Sequence, residues 1–344
     1  MTRTAVVLGG LSLLVVAAWG GFSPRASAGA VLPTIGSSGT AGSAGRLGSA
    51  ADPALRLGPR TVARPPRRWW HPRNTGPNNG PEFQWELDHR LDLHSAKDMG
   101  DGARNAAGRT APNPAVYDID GIDNPAATIA ALHRRGDKVI CYIEVGAAGN
   151  YYSAAQERIR VTYYAQLKAA GVLGRKVPGY PERYLNINAA ATVAIIKSMI
   201  RQQCAAKGFD AVEPDIDDSY TDRTGYRITE KEDEKFDVRL GTYAHRLGLA
   251  WGQKNGDNDP GFSRALEPTA DFLLDEECNF YRTCAIVTPP YLKAGKLVLN
   301  AEYTSDWGRN RARDLRRFCA SDISAGIDGT LFTTALAGQR NPCQ

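Results

Sequence analysis

Short apolar runs recur along the chain, and stretches with a helical spacing of apolar residues lie between them, at 125–135, 192–207 and 233–247. The runs cover residues 83–87, 116–120, 139–144, 184–187, 211–213, 249–253, 272–274 and 297–300, with 330–332 as a ninth candidate. This alternation predicts a parallel sheet covered by helices. Eight or nine such units within residues 81–344 favour a (β/α)8 TIM barrel over an open sheet. No glycine-rich phosphate loop begins a helix, which disfavours a dinucleotide-binding fold.

Most of these runs end in polar side chains. The residues at or just after the run ends are Asp118, Asp120, Glu144, Asn186, Glu213, Asp215, Lys254, Asn255, Glu276 and Glu302. In a TIM barrel the carboxyl ends of the strands surround one mouth, where active sites lie. Crowded carboxylates repel each other and are costly to desolvate, so a purely structural barrel has little reason to collect them. The pattern therefore predicts a functional site at this end of the barrel.

Two runs end in dense acid clusters, GFDAVEPDIDD at 208–218 and FLLDEEC at 272–278. Glycoside hydrolysis uses two carboxyl groups, one to protonate the leaving oxygen and one to attack or to activate water. Neighbouring carboxylates also push each other's pKa apart, which supplies an acid and a base. The sequence predicts Asp215 and Glu276 as a catalytic pair, with solvated acids at strand ends as the alternative. Asp217 and Asp218 either cap backbone N–H groups or contact substrate.

The N-terminus has the features of an export signal. Arg3 gives a basic start, an apolar stretch follows over 5–18, and Ala-Ser-Ala stands at 26–28. This combination predicts a secretory signal peptide over residues 1–28, cleaved after Ala28. The apolar stretch is too short for a comfortable membrane span, so we expect a secreted, extracellular protein with no stable span.

Residues 29–80 are rich in Gly, Ser, Ala, Pro and Arg and predict a disordered linker. Trp69 and Trp70 within it either dock on the folded domain or touch a cell-wall polymer. Residues 1–80 hold nine arginines and one acid, a net charge of +8, which leaves −3 for residues 81–344 out of the total of +5. The basic tail indicates association with anionic wall polymers. Nucleic acid is not an expected partner, because no recognition motif is present in this exported chain.

Six cysteines in an exported chain predict disulfides. Proximity favours Cys278–Cys284, and Cys319–Cys343 pins the C-terminus, while Cys141 and Cys204 either pair or stay buried thiols. No spacing of Cys or His supports zinc, and the acids at 215–219 lack the glycine of a calcium loop, so we expect no metal and no cofactor. Lys254 is expected to form an ion pair or contact sugar, in preference to a Schiff base.

Several segments resemble glycoside hydrolase family 114, in the family's order. They are QWEL at 84–87, YDID at 117–120, CYI at 141–143, GFDAVEPD at 208–215, QKN at 253–255, DEEC at 275–278 and AEY at 301–303, which spans roughly residues 82–305. Ile216 departs from the pattern, because the family commonly has Asn there. The resemblance implies a TIM barrel, with Asp215 and Glu276 as catalytic carboxylates. It also implies a cleft lined by Asp118, Asp120, Lys254, Asn255 and Glu302.

The resemblance further implies an endo-α-1,4-polygalactosaminidase-like activity on galactosamine-containing polymers. Such polymers are cationic when de-N-acetylated, and a mouth lined with acids attracts them. Aromatic side chains near strand ends either stack on sugars or pack within the barrel, namely Trp85, Tyr117, Tyr142, Tyr220 and Tyr303. With these, the expected substrate-binding set is Trp85, Asp118, Asp120, Tyr142, Glu213, Lys254, Asn255, Glu302 and Tyr303. The alternatives are a glycosidase on another amino-sugar polymer and a non-catalytic carbohydrate-binding barrel.

Overall fold

Eight parallel strands form a barrel, as the alternation of strands and helices predicts. The computed structural model describes residues 68–74, 81–149, 154–256, 259–307 and 311–344, so the predicted signal peptide and most of the predicted linker lie outside the described residues. The described strands are β1 (Phe83–Glu86), β2 (Val116–Asp120), β3 (Lys138–Glu144), β4 (Ala147–Gly149), β5 (Leu173–Lys176), β6 (Glu182–Leu185), β7 (Ala211–Asp215), β8 (Ala250–Lys254), β9 (Phe272–Glu276), β10 (Leu297–Tyr303), β11 (Asp328–Phe332) and β12 (Arg340–Pro342).

The main sheet has the order β1-β2-β3-β7-β8-β9-β10-β11-β12, and each pair is parallel except β11–β12. Its first and last parallel strands, β1 and β11, meet through side chains, because Phe83 and Phe332 pack with ring centres 5.3 Å apart. The antiparallel β12 supports this seam, where Arg340 donates a hydrogen bond of 2.6 Å to Glu82. Backbone contacts also join the ends, since Leu87 N–H donates to the Leu336 carbonyl. The result is a nearly closed barrel of the (β/α)8 type.

Helices cover the outside of the barrel. They are α1 (Ala126–Arg135), α2 (Ala154–Ala169), α3 (Ala190–Met199), α4 (Glu230–Leu247), α5 (Pro260–Leu266), α6 (Cys278–Tyr281), α7 (Cys284–Val287), α8 (Pro289–Lys293) and α9 (Arg311–Ala325). A π-helical turn, Ile200–Cys204, continues α3. A capping box between Thr229 and Glu232 fixes the start of α4, and Gly248 in the left-handed region ends it. No helix among the described residues is long and apolar enough to cross a bilayer.

One predicted strand lies outside the barrel. The run at 184–187 falls at the end of β6, which pairs antiparallel with β4 and β5 in a separate three-stranded sheet. The run at 330–332, the ninth candidate, lies in β11 and completes the barrel instead. Asn186 accordingly does not end a barrel strand; its side chain accepts a hydrogen bond from Asn188 N–H just before α3.

Residues 68–74 pack on the barrel beside the amino ends of β9 and β10. The Trp69 ring stacks on His245 with ring centres 4.1 Å apart, and its Nε1 donates to Asp271 at 3.0 Å. Arg73 forms an antiparallel bridge with Lys296. Trp69 and Trp70 also contact the apolar cluster inside the barrel. Of the two roles considered for this tryptophan pair, docking is the one found, and the packed chain begins before the predicted boundary at residue 81.

Three disulfides join all six cysteines. The predictions of Cys278–Cys284 and Cys319–Cys343 are confirmed. Cys141 of β3 pairs with Cys204 at the end of the π-helical turn, which resolves the alternative left open by the sequence. This bridge fastens a barrel strand to its covering helix.

Candidate active site

The alternation of side chains along the strands places one group of residues inside the barrel. On β7, β8 and β9 the residues Ala211, Ala250, Phe272 and Leu274 form part of an interior apolar cluster. Every second residue of a strand faces the same side. The charged residues that face the interior after these apolar ones are Glu213 and Asp215 on β7, Lys254 on β8 and Glu276 on β9. Apolar side chains therefore fill the lower interior, and a charged layer lies at the carboxyl ends of the same strands.

Lys254 lies at the centre of this layer. Its Nζ is 2.7 Å from Glu213 Oε1, 3.0 Å from Asp215 Oδ1 and 3.5 Å from Glu276 Oε2. The same atom lies 4.9 Å from the centre of the Trp85 ring, within the range of a cation–π contact. Burial by itself lowers the pKa of Lys254, but the three carboxylates raise it well above its usual value. The lysine is therefore held as a cation, which does not suit a Schiff-base nucleophile.

The two carboxyl groups predicted to be catalytic lie close together. Because both contact Lys254 Nζ, Asp215 Oδ1 and Glu276 Oε2 are separated by no more than the sum of the two distances, 6.5 Å. Retaining glycosidases hold their carboxyl groups about 5–5.5 Å apart and inverting enzymes about 6.5–9.5 Å apart. An upper limit of 6.5 Å between these two oxygens favours the shorter separation, that of retaining enzymes. Both side chains are partly exposed, 22% for Asp215 and 26% for Glu276, so substrate can reach them.

Hydroxyl and amide groups fix the orientation of each carboxylate. Tyr142 donates its O–H to Asp215 Oδ2 at 2.8 Å. Tyr303 donates its O–H to Glu276 Oε1, and burial together with the Glu276 charge raises the pKa of Tyr303 well above its usual value, which keeps this donor protonated. Asn255 Oδ1 accepts the backbone N–H of Glu276 at 2.9 Å. The two tyrosine hydroxyls thus orient the two carboxyl groups, and Asn255 holds the backbone of Glu276.

A second buried pair lies beneath the mouth. Glu213 accepts hydrogen bonds from Lys254 at 2.7 Å and from Trp85 Nε1 at 3.2 Å. Asp118 is fully buried beside it, and burial followed by the Glu213 charge raises the pKa of Asp118 well above its usual range. Burial also raises the pKa of Glu213, but Lys254 opposes this rise, so Asp118 is the group that holds the proton. One proton and one lysine therefore offset the charge of the two buried carboxyl groups.

The backbone turns sharply after each of the three central strands. Ile216, Asn255 and Glu277 directly follow Asp215, Lys254 and Glu276, and all three have φ between 50° and 59°. Non-glycine residues adopt this left-handed region at a cost of about 1–2 kcal/mol each, and it is rarer still for a β-branched side chain such as Ile216. Such strain is typical of functional sites, where it aims the preceding side chain.

Two predicted cleft residues have other partners. Asp120 accepts hydrogen bonds from Ile122 N–H at 2.7 Å and Asp123 N–H at 2.8 Å, and its other oxygen pairs with Arg160 of α2. Glu302 is buried on the opposite side of β10 from Tyr303, where it accepts hydrogen bonds from Asn279 N–H and Trp307 Nε1, both at 2.8 Å. Both acids therefore support loops, and their contact with substrate remains a prediction.

Other polar and aromatic residues near strand ends also have structural partners. Asp217 is fully buried and accepts the backbone N–H of Lys254 at 3.0 Å, a contact of the capping kind. Tyr117 is buried on the outer side of β2 and donates to the Met99 carbonyl. Tyr220 is half-buried and packs against Phe262, with ring centres 5.2 Å apart.

Sequence reasoning missed Tyr180, which lies in the loop between β5 and β6. Its side chain is 43% exposed. Burial, then Glu276 and then Asp215, raise the pKa of Tyr180 to about 12, which places it near both carboxylates. It follows Pro178-Gly179, a turn signal that predicts no strand or helix, so no periodic pattern placed Tyr180 at the mouth.

Two clusters of potential metal ligands occur among the described residues. One contains Cys278 and Cys284, whose sulfur atoms are joined to each other and cannot ligate. In the other, His89 lies between Asp98, at 2.9 Å, and Glu86, at 3.3 Å. These contacts form an ion-pair network, and neither cluster supplies a reason to assign a metal.

Two partly exposed carboxyl groups thus lie at the carboxyl ends of the fourth and sixth barrel strands, an arrangement compatible with glycoside hydrolysis. The sequence matches the family described as Glycoside-hydrolase family GH114 over residues 60–344. The chain belongs to this family and is a glycoside hydrolase, as the sequence resemblance predicted.

Solved structures share the fold. One is the crystal structure of Aspergillus fumigatus Ega3 in complex with galactosamine, which is 23% identical with a TM-score of 0.63, covering 83% of this chain and 100% of that one. Another is the glycoside hydrolase domain of PelA from Pseudomonas aeruginosa, 14% identical with a TM-score of 0.52, covering 76% of this chain and 97% of that one. No curated protein sequence matches the chain.

Proposed function

We propose that the protein is an exported hydrolase that cleaves α-1,4-linked galactosamine-containing polysaccharide, with Asp215 and Glu276 as its catalytic carboxylates. The observation that carries the proposal is the contact of both carboxyl groups with one buried ammonium group, that of Lys254. This contact holds them within 6.5 Å of each other at the mouth of the barrel. No cofactor is needed for this chemistry.

The shorter distance to the ammonium supports Asp215 as the ionised nucleophile, because Lys254 Nζ lies 3.0 Å from Asp215 and 3.5 Å from Glu276. Asp215 accepts from Lys254 at 3.0 Å and Tyr142 at 2.8 Å, two donors that stabilise its ionised form. It is the nucleophile: one oxygen attacks the anomeric carbon and forms a glycosyl ester while the glycosidic bond breaks. Glu276 gives its proton to the leaving oxygen. It then takes a proton from the water that cleaves the ester, so both carboxyls return to their starting state with retention of configuration.

The charge of the mouth supports an amino-sugar substrate. Glu213 and Asp215 both face the single ammonium of Lys254, so negative charge remains in excess when Glu276 carries the proton that it donates. The resulting excess of negative charge attracts a cationic polymer. Ega3, which shares this fold, was crystallised in complex with galactosamine, and we therefore propose galactosamine as the sugar of the substrate.

Export and wall association form part of the proposal. The basic, apolar and small-residue segments of 1–28 have the order of a signal peptide, and all six cysteines are paired, as is usual for secreted proteins. Residues 1–80 carry a net charge of +8. After cleavage at Ala28 the remaining basic residues hold the enzyme near anionic wall polymers.

The test is release of reducing ends from partly de-N-acetylated α-1,4-galactosamine polymer by the purified protein, with chitosan as the alternative amino-sugar polymer. Asp215→Asn and Glu276→Gln serve as matched variants that keep size and hydrogen bonding. The proposal expects release from the galactosamine polymer alone, and loss in both variants. Release from chitosan instead assigns another amino-sugar polymer. Binding without release by the wild-type protein assigns a carbohydrate-binding barrel.

A further inference from the structure

An exposed aromatic surface lies directly beyond Glu276. Among the described residues the large apolar side chains that are strongly exposed are Val161, Tyr180, Phe280 and Tyr281. Phe280 and Tyr281 are 41% and 44% exposed and contact each other edge to face, with ring centres 5.0 Å apart. Leaving two adjacent large rings in water forgoes the free energy of burying them, which is unusual unless the surface binds something.

The loop that carries these rings is rigid. The Cys278–Cys284 disulfide closes it at both ends. Beneath it, the buried Glu302 accepts the backbone N–H of Asn279 at 2.8 Å, and it also accepts that of Phe280. The other oxygen of Glu302 accepts Trp307 Nε1. A fixed aromatic surface loses little conformational entropy on binding, which suits recognition of a ligand.

The chemistry around the rings indicates a cationic sugar. Phe280 also contacts the Trp307 ring, with centres 6.1 Å apart, so three rings form a continuous patch. Asp306, which precedes Trp307, is partly exposed, and its charge acts on both Tyr281 and Glu277. Burial and the adjacent Asp306 raise the pKa of Glu277 to about 9, so Glu277 is protonated near neutral pH. Aromatic faces beside a carboxylate bind both the apolar face and the ammonium group of an amino sugar.

We propose that Phe280, Tyr281, Trp307 and Asp306 form a second sugar subsite, which holds a cationic sugar unit of the polymer beyond the unit being cleaved. The inference rests on the proposed function. Continuity supports it, because Tyr281 lies five residues after Glu276 and is electrostatically coupled to it. Glu302, which was predicted to touch substrate, acts here as a positioning residue that supports the loop.

The test is calorimetric binding of α-1,4-galactosamine oligosaccharides, from disaccharide to octasaccharide, to the full protein carrying Glu276→Gln. Adding Phe280→Ala or Tyr281→Ala is expected to weaken octasaccharide binding by about fivefold each, the size of an exposed cation–π contact, and to leave disaccharide affinity within twofold. Asp306→Asn is expected to weaken binding of the free-amine octasaccharide but not of its N-acetylated form. Val161→Ala, an exposed apolar side chain on α2, is the control and changes neither affinity.

Three results overturn the subsite. Octasaccharide binding that is unchanged in both aromatic variants removes it. Equal losses for disaccharide and octasaccharide place the rings at the cleavage position or show a structural defect, which circular dichroism identifies. If wild-type protein cleaves the polymer in either case, the proposed function stands and only the subsite fails. If the Glu276→Gln protein binds no oligosaccharide and the wild type releases no reducing ends, both proposals fail.

Discussion

Replacing Lys254 with methionine removes the ammonium group while keeping the length of the side chain. The ammonium lies 3.0 Å from Asp215 and 3.5 Å from Glu276. At these separations a pair of unit charges attracts with about 5 kcal/mol for an effective dielectric constant of about 20. Because both carboxyl groups are about one-quarter exposed, water screens part of this attraction, and about 1.5–3 kcal/mol remains for each.

We expect Lys254→Met to move the acid limb of the kcat/KM profile upward by about 1–2 pH units, since about 1.4 kcal/mol corresponds to one unit. We also expect kcat near neutral pH to fall by about a hundredfold, because the ionised nucleophile loses its main stabilising donor. Reducing-end release measured between pH 4 and pH 9 checks both. An unshifted acid limb, with activity within twofold of the wild type, would refute this account of Lys254.

Stability needs a separate control, because Lys254→Met leaves the buried Glu213 without its cation. Breaking a buried pair in this way costs about 3–5 kcal/mol. The double variant Lys254→Met with Glu213→Gln removes the unpaired charge and keeps an acceptor for Trp85 Nε1. We expect the double variant to recover most of the thermal stability and none of the activity. Recovery of activity together with stability would show that Lys254 acts only on the fold.

Three further predictions concern residues around the site. Tyr303→Phe removes the hydroxyl that orients Glu276, and we expect kcat to fall by about ten- to a hundredfold with KM little changed, measured by steady-state kinetics; an unchanged kcat contradicts that role. Burial raises the pKa of Asp237 to about 8, so this carboxyl keeps a proton in the folded state that it releases above about pH 4 in the unfolded state. The unfolding free energy therefore falls as the pH rises from about 4 to about 8. Asp237→Asn should therefore reduce the fall in unfolding free energy between pH 5 and pH 8 by roughly 1 kcal/mol per pH unit in urea titrations, and an identical slope would exclude this carboxyl. Replacing Cys141 and Cys204 with alanine removes a disulfide between residues 63 apart and should lower the unfolding free energy by about 4 kcal/mol. A change under about 1 kcal/mol would show that the disulfide does not restrain the unfolded chain.

The barrel could be predicted because its signal is local and periodic. Seven of the eight barrel strands coincide with apolar runs among the first eight, and the eighth strand, β11, coincides with the ninth candidate, because parallel strands buried on both faces are continuously apolar. The run at 184–187 is the one that lies outside the barrel, in the small sheet of β4, β5 and β6. Strand partners are set by tertiary packing, which a run of four residues does not encode.

The candidate site could be predicted in part, because side-chain alternation decides which strand-end residues share the mouth. Asp215, Lys254 and Glu276 follow inward-facing apolar residues by two or four positions and lie together. Glu302 follows the inward residue Ala301 by one position, so it points outward, where it accepts the N–H of Asn279 in α6. Counting positions along β10 would have separated it from Tyr303. Tyr180 could not be found this way, because it stands in a loop with no periodic signal.

The most direct test of the catalytic pair is chemical rescue of Asp215→Ala by azide, using an α-galactosaminide with an activated leaving group. The account predicts that azide restores turnover and that NMR of the product shows a β-galactosaminyl azide, because the anion enters the space left by the nucleophile on the face opposite the leaving group. An α-azide would make Asp215 the acid–base residue and Glu276 the nucleophile. Full activity of Asp215→Ala without azide would contradict the central claim that these two carboxyl groups perform the hydrolysis.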